Sequence, residues 1–249
     1  MFRWLKILPL ALAALAVAAL SIVAASCNSG NQPQARFVHA IQDGGELDIE
    51  VNGSKDFSGL SFGNFLPLSG YTNVTEGSDT IEGLNSGTST EVFSVSGVTF
   101  DFEIDYTVVA TGFVTNFSSV VIISTPDNTT EPANGTVSFR VINASPDSPG
   151  PVDIYILDAP AAGGLPAKPT ISSLAYKSVS GYINLPYNSA GGGFTMFVCP
   201  AGTRIPIFST GWSFAAGASN EGSTRTLVLT DEQNVNQMSQ YPIFLKDIN

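Results

Sequence analysis

Residues 36–51 read RFVHAIQDGGELDIEV, and residues 140–155 read RVINASPDSPGPVDIY. Arg36, Ala40 and Asp43 of the first phrase match Arg140, Ala144 and Asp147 of the second. After a one-residue gap, Asp48 and Ile49 match Asp153 and Ile154. The correspondence continues downstream. LSGYTNV at 68–74 aligns with VSGYINL at 179–185, and DYTVVATG at 105–112 with TRTLVLTD at 224–231. A chain of 249 residues that repeats itself in this way is restricted to two similar units, each of roughly 90 to 105 residues and large enough to hold its own core.

Each unit reads as all-β. DIEVNG alternates Ile49 and Val51 with Asp48 and Glu50, then turns at Asn52-Gly53. TFDFEIDYTVVATG places Phe100, Phe102, Ile104 and Tyr106 on one strand face and Asp101, Glu103 and Asp105 on the other. Turn signals recur at short intervals, at Asn85-Ser86-Gly87, Pro149-Gly150, Gly191-Gly192-Gly193 and Ala201-Gly202. No stretch beyond the first 26 residues keeps a helical period. The expected fold is two tandem antiparallel β-sandwiches of immunoglobulin-like or transthyretin-like type behind an N-terminal signal segment. The expected boundaries are a signal peptide at 1–26, a lipidated Cys and tether at 27–34, a first sandwich at 35–124, a linker at 125–135 and a second sandwich at 136–249.

The amino terminus supplies the address. Arg3 and Lys6 precede an uncharged Ala/Leu-rich run, and small residues lead directly into Cys27. That order is a secretory signal, although the run is also long enough to span a bilayer as a retained helix. The word VAASC at 23–27 resembles the bacterial lipobox, which implies lipidation of Cys27 and an exported protein anchored in the cell envelope. Asn28 in the following position implies the outer membrane. Loss of residues 1–26 takes Arg3 and Lys6 away, leaving 8 of 10 basic side chains against 21 acidic ones, a formal charge of −13. So acidic a chain repels phosphate backbones and is not expected to bind nucleic acid. Its membrane contact would come through acyl chains and not through a basic patch. If Cys27 is lipidated, Cys199 has no partner and reads as a small buried apolar residue; if it is not, a Cys27–Cys199 disulfide is open.

With the words RVINASPDSPGPVDIYI, LAYKSVSGYINLP and CPAGT on the page, the second copy resembles the bacterial domain of unknown function 4397. The first copy, with FVHA, LDIEVNG and LSFGNFLPLSGY, resembles a divergent member that has Ile41-Gln42 in place of Ser-Pro. The resemblance implies an exported, often lipid-anchored, repeated β-domain. It carries no catalytic residues and no cofactor.

The search for chemistry returns little. GLSFG at 59–63 has the form of a nucleophile elbow, but the one histidine, His39, precedes it and no helix follows. A single His does not make a zinc site. The carboxylates of Asp101, Glu103 and Asp105 read as a solvated strand face, and six Asn-x-Ser/Thr triplets as surface composition. Tyr71 and Tyr182, after their shared Ser-Gly, read as packing residues whose hydroxyls bond at the sandwich end. Asp48 and Asp153 are poor strand formers in equivalent places. They are expected to accept from backbone N–H groups of the preceding turns, with Arg36 and Arg140 as charge partners; the alternative is calcium, with Asp43 and Asp147 as further ligands. No catalytic residue, metal site or cofactor is expected. The functional expectation is a non-catalytic binding or scaffolding module for an envelope protein or polysaccharide. A carbohydrate-active hydrolase using Asp/Glu pairs and a calcium-stabilised adhesin-like unit are the alternatives.

Overall fold

Strands of two to eleven residues, rich in Val, Ile, Phe and Thr and separated by Gly-, Asn- and Pro-containing turns, pair into four sheets. The computed structural model describes residues 32–128, 130–148, 150–158, 164–186, 193–213, 223–231 and 240–248. The expected signal segment, Cys27, most of the expected tether and the turn positions 149 and 191–192 lie outside the described residues.

The first half contains β1 (Gln34–Ile41), β2 (Leu47–Val51), β3 (Ser54–Leu60), β4 (Phe65–Leu66), β5 (Thr72–Asn73), β6 (Gly77–Asn85), β7 (Glu91–Phe100), β8 (Asp105–Phe113) and β9 (Asn116–Pro126). The second contains β10 (Thr136–Asn143), β11 (Val152–Asp158), β12 (Ile171–Leu174), β13 (Ile183–Pro186), β14 (Gly193–Pro200), β15 (Phe208–Ser213), β16 (Thr224–Asp231) and β17 (Gln240–Ile248). The first half stacks a β3-β2-β6-β7 sheet on a β4-β1-β8-β9 sheet, to which β5 adds beside β1. The second half repeats the order, with β12-β11-β14-β15 on β13-β10-β16-β17.

The all-β sandwich expectation holds, with two differences of detail. β1 pairs with β8 in parallel, and so does β10 with β16. After β1 the chain leaves for the other sheet, touches β1 again through the two-residue strands β4 and β5, and pairs with it in parallel at β8 after the long crossover that such a pair requires. A second difference lies at 101–104. The run expected to be one strand breaks there, because it crosses from one sheet to the other. β7 ends at Phe100, Glu103 takes φ +60°, and Asp101 and Ile104 close a turn. The Asp101 N–H donates to the Tyr106 hydroxyl, which donates to the Asp101 carboxylate, both at 3.1 Å. The three carboxylates therefore do not share a strand face.

Three apolar layers hold the stack together. Phe37, Ile49, Ile81, Phe93, Phe100 and Val108 fill the first sandwich, and Phe139, Ile154, Met196, Val198 and Leu227 fill the second. The third layer lies between the halves. Val38, Ala40, Val109 and Ile123 pack against Ile142, Ala144, Val228, Ile243 and Leu245. β1 and β10 are consequently buried on both faces, which is why RFVHAI and RVIN carry almost no exposed polar residue. The expected linker also begins later than 125: β9 runs through Pro126, and the Asp127 side chain is fully buried.

Candidate functional site

The densest polar cluster among the described residues sits at one end of the layer between the halves. Position 36 shares a β1 face with Val38 and Ala40, and position 140 shares a β10 face with Ile142 and Ala144. Both arginines therefore point into the inter-half layer, where they are 1% and 2% exposed. A buried charge this deep must be paired and hydrogen-bonded, and both are.

Arg36 donates through Nε to Thr107 Oγ1 at 2.9 Å, through one terminal nitrogen to the Lys246 carbonyl at 2.9 Å, and through the other to the Asp247 carboxylate. Arg140 donates through Nε to Thr226 Oγ1 at 2.8 Å, to the Pro126 carbonyl at 2.7 Å, and to the Asp127 carboxylate. Each guanidinium stacks on the tyrosine of its own half, Arg36 on Tyr71 at 4.9 Å and Arg140 on Tyr182 at 4.8 Å. The tyrosine hydroxyls then donate to the same carboxylates, Tyr71 to Asp127 at 2.5 Å and Tyr182 to Asp247 at 2.8 Å. Each arginine thus holds the carboxylate that ends the other half, and Arg36 also pairs with Asp127 of its own half at 3.2 Å.

Burial alone would lower the Arg36 pKa, but Asp127 and Asp247 more than reverse it. Burial raises the Asp247 carboxyl against the pull of Arg36. Burial, reinforced by the neighbouring carboxylates, drives the Tyr71 and Tyr182 hydroxyls far above their usual range, so both remain donors.

The other end of the layer carries a second set of equivalents. Thr111 Oγ1 donates to the Ala144 carbonyl at 2.7 Å, and Thr230 Oγ1 to the Ala40 carbonyl at 3.4 Å. His39 is fully buried at the end of β1. Its Nδ1 accepts from the Ile41 N–H at 3.2 Å, so Nε2 carries the proton and donates to the Gly45 carbonyl at 2.8 Å. Asn143 does the same work in β10, its Oδ1 accepting from the Ser145 N–H at 3.2 Å. Burial lowers the His39 pKa to about 4. Asp43 reaches across to the β8–β9 turn and accepts from the N–H groups of Val114 and Thr115. These bonds and the Thr115 hydroxyl outweigh burial and hold its carboxyl below the usual range. In the second half the carboxylate has changed sides. Asp231 at the end of β16 accepts from the Ser145 hydroxyl and the Asp147 N–H, so Asp147 contributes its backbone there.

Asp48 and Asp153 are turn clips, but the turns are not the ones expected. Asp48 accepts from the N–H groups of Gly59 and Gly87 at 3.0 and 3.1 Å, from Ser86 Oγ at 2.9 Å and from Lys55 at 2.6 Å. The Lys55 bond, with the two N–H groups and the hydroxyl, holds its carboxyl well below the usual range despite burial. Asp153 accepts from the N–H groups of Ser173 and Gly202, each at 2.8 Å. Gly87 and Gly202 occupy φ +73° and +78°, a conformation that aims the N–H inward and favours glycine. The donors thus come from β3 or β12 and from the β6–β7 or β14–β15 hairpin. Arg36 and Arg140 are not their charge partners, because alternation along β1 and β10 sends them to the inter-half face.

The remaining candidates are occupied by the architecture. Ser61 Oγ donates to Glu46 at 3.0 Å, and both His39 nitrogens are engaged by backbone, so the 59–63 motif has no base. Cys199 is buried opposite Asp153 on β14, and burial pushes its thiol pKa up, away from nucleophilic chemistry. Among the described residues no group of three or more His, Cys, Asp or Glu side chains is placed to hold a metal ion. The void between the sheets of the first half, beside Phe37, Leu47 and Phe93, has no room for a water molecule.

Sequence reasoning missed Asp127, Asp247, Thr107 and Thr226. The two aspartates lie outside the repeated words, Asp127 just after β9 and Asp247 in β17, where VVIISTPD and YPIFLKD share little besides an Ile four residues before the Asp. That spacing was the available signal.

The family model of the domain of unknown function DUF4397 matches residues 33–155, which carries it from the start of β1 through Tyr155 in β11. The match lies on the half expected to be the divergent copy and on the opening two strands of the other. No curated protein matches the chain. A solved structure described as "Alpha-glucan binding by a streptococcal virulence factor" aligns at 13% identity and a TM-score of 0.29, covering 84% of this chain and 96% of that one.

Proposed function

We propose that the chain is an exported, lipid-anchored cell-envelope protein in which a duplicated DUF4397-type β-sandwich serves as a non-catalytic binding or scaffolding module. Its partner would be an envelope protein or a surface polysaccharide. One observation carries this reading. The His, Asp, Tyr and Arg side chains that the sequence offers for chemistry are spent on holding turns and halves in place. His39, Asp48, Asp153, Tyr71 and Tyr182 have their polar atoms committed to hydrogen bonds within the protein. A duplication is supported by the matched strand orders and by the equivalent Arg36/Arg140, Thr107/Thr226 and Tyr71/Tyr182 contacts. The basic, apolar and small-residue order of residues 1–27 supports export and lipidation at Cys27, and Asn28 supports delivery to the outer membrane. Two or three acyl chains would give the stable tether that one chain does not.

Intact-mass measurement of the protein from its native host tests the anchor: an acylated Cys27 as first residue is expected, and a chain retaining Arg3 refutes it. The binding role is tested by capture from solubilised envelopes and on glycan arrays with the soluble chain from residue 28. Saturable retention of one protein or glycan class is expected. Turnover of any retained glycan would replace the module with a hydrolase.

A further inference from the structure

The contacts between the halves obey a two-fold rule. Arg36 holds Asp247 and Arg140 holds Asp127; Thr111 reaches the Ala144 carbonyl and Thr230 the Ala40 carbonyl. The apolar set repeats in the same way. Val38, Ala40, Val109 and Ile123 face Ile142, Ala144, Val228 and Ile243, and Val109 pairs with Ile123 as Val228 pairs with Ile243. A surface in which residue i meets j and j meets i is isologous, the geometry of a symmetric dimer. Here it is built inside one chain. Only the connection from Asn128 to Gly135 assigns both faces to the same molecule.

We infer that this face accepts a second copy of the chain, and that two chains pair by exchanging halves, the first half of each seated on the second half of the other. Every contact between the halves of the closed monomer is then remade in trans, including the Arg36–Asp247 and Arg140–Asp127 pairs. The balance is set by the connection. A short tether holds the two faces at an effective concentration in the mM range, so closure wins in dilute solution. Exchange gains when chains are concentrated on a surface or when the connection cannot reach.

The test uses full chains, with copies counted by native mass spectrometry. One variant carries Val38→Asp, which spoils the first-half face; another carries Val228→Asp, which spoils the second-half face. Each alone has one sound face and no partner for it. Mixed, the sound second half of the former meets the sound first half of the latter, and a one-to-one heterodimer is expected. A mixture that yields no heterodimer overturns the inference. A second variant leaves both faces untouched. Deleting residues 129–132 removes about 13 Å of reach. The expected product is a dimer whose dissociation constant rises at least tenfold when Arg36→Ala is added. A shortened chain that stays monomeric, folded or unfolded, overturns the inference equally.

Discussion

His39 is the only histidine in the chain, so its titration can be followed without interference. Protonation requires a proton on Nδ1, where the Ile41 N–H already points, so the charged ring would set donor against donor in a buried site. Burial holds the folded pKa at about 4, against 6.5 for the free side chain. A folded pKa below the unfolded one means that the unfolded chain takes the proton first. Stability from this group is therefore complete above pH 6.5 and drains away as pH falls toward 4. The full shift corresponds to about 3 kcal/mol at 1.36 kcal/mol per unit, of which about 2 kcal/mol is already lost at pH 5. For a unit of this size that loss lowers Tm by about 4–8 °C.

The perturbation is His39→Asn, copying Asn143 at the equivalent position of β10, where an amide oxygen accepts the same backbone N–H. Denaturant melts at pH 7, 6 and 5 should show the wild-type chain losing about 2 kcal/mol and the variant losing much less. The ring resonances in an NMR titration should not move until pH falls below 5. A His39 pKa at or above 6.5, or parallel losses in both proteins, would refute the burial argument.

Three further outcomes are expected. Arg140→Leu removes one of the two arginines paired with the buried Asp127, leaving Arg36 at 3.2 Å, and should cost about 1.5–3 kcal/mol in chemical denaturation; the double variant with Asp127→Leu should recover part of that loss, and a double variant no more stable than the single one contradicts this. Gly83→Val places a Cβ 2.2 Å from the Phe93 ring and should destabilise by about 1–3 kcal/mol; adding Phe93→Ala should relieve part of it, measured as a non-zero coupling in a double-mutant cycle. Asp153→Ala unties Ser173 and Gly202 and should cost about 2–4 kcal/mol, with the same melting shift in chelator as without it; a chelator-induced drop in the wild-type chain that calcium restores would point to a bound metal instead.

The local architecture was legible because it is written in period two and in turn residues. DIEVNG and VDIYIL alternate as half-buried strands do, and the Asn-Gly and Ala-Gly turns sit where hairpins form. Asp48 and Asp153 stood out correctly as misfits in strands. What they accept from was not legible, since Gly59 and Gly87 reach Asp48 from 11 and 39 residues away. Alternation also overran its range at 101–104. Phe102 and Ile104 continue the pattern through a turn, because a chain crossing between two sheets passes apolar surroundings on both sides.

The third apolar layer left a mark that alternation alone could not interpret. RFVHA and RVINA each put one arginine on the strand face that is otherwise Val38 and Ala40, or Ile142 and Ala144, with His39 or Asn143 on the opposite face. On a two-sheet sandwich that arginine would have water to go to, and the neighbouring Val38, Ala40, Ile142 and Ala144 would be stranded on the same wet face. The contradiction disappears only if something covers that face and brings a carboxylate with it. Val38, Val109, Ile142, Val228, Ile243 and Leu245 are all buried there. Taking roughly 1.5–3 kcal/mol for each, their burial amounts to about 9–18 kcal/mol, as much as the whole net stability of an ordinary domain. Exposing that face would cost either half a large part of its fold margin. The connection at 128–135 therefore joins two parts that share a buried apolar layer, and the repeated phrase marks the strand that each part turns toward the other.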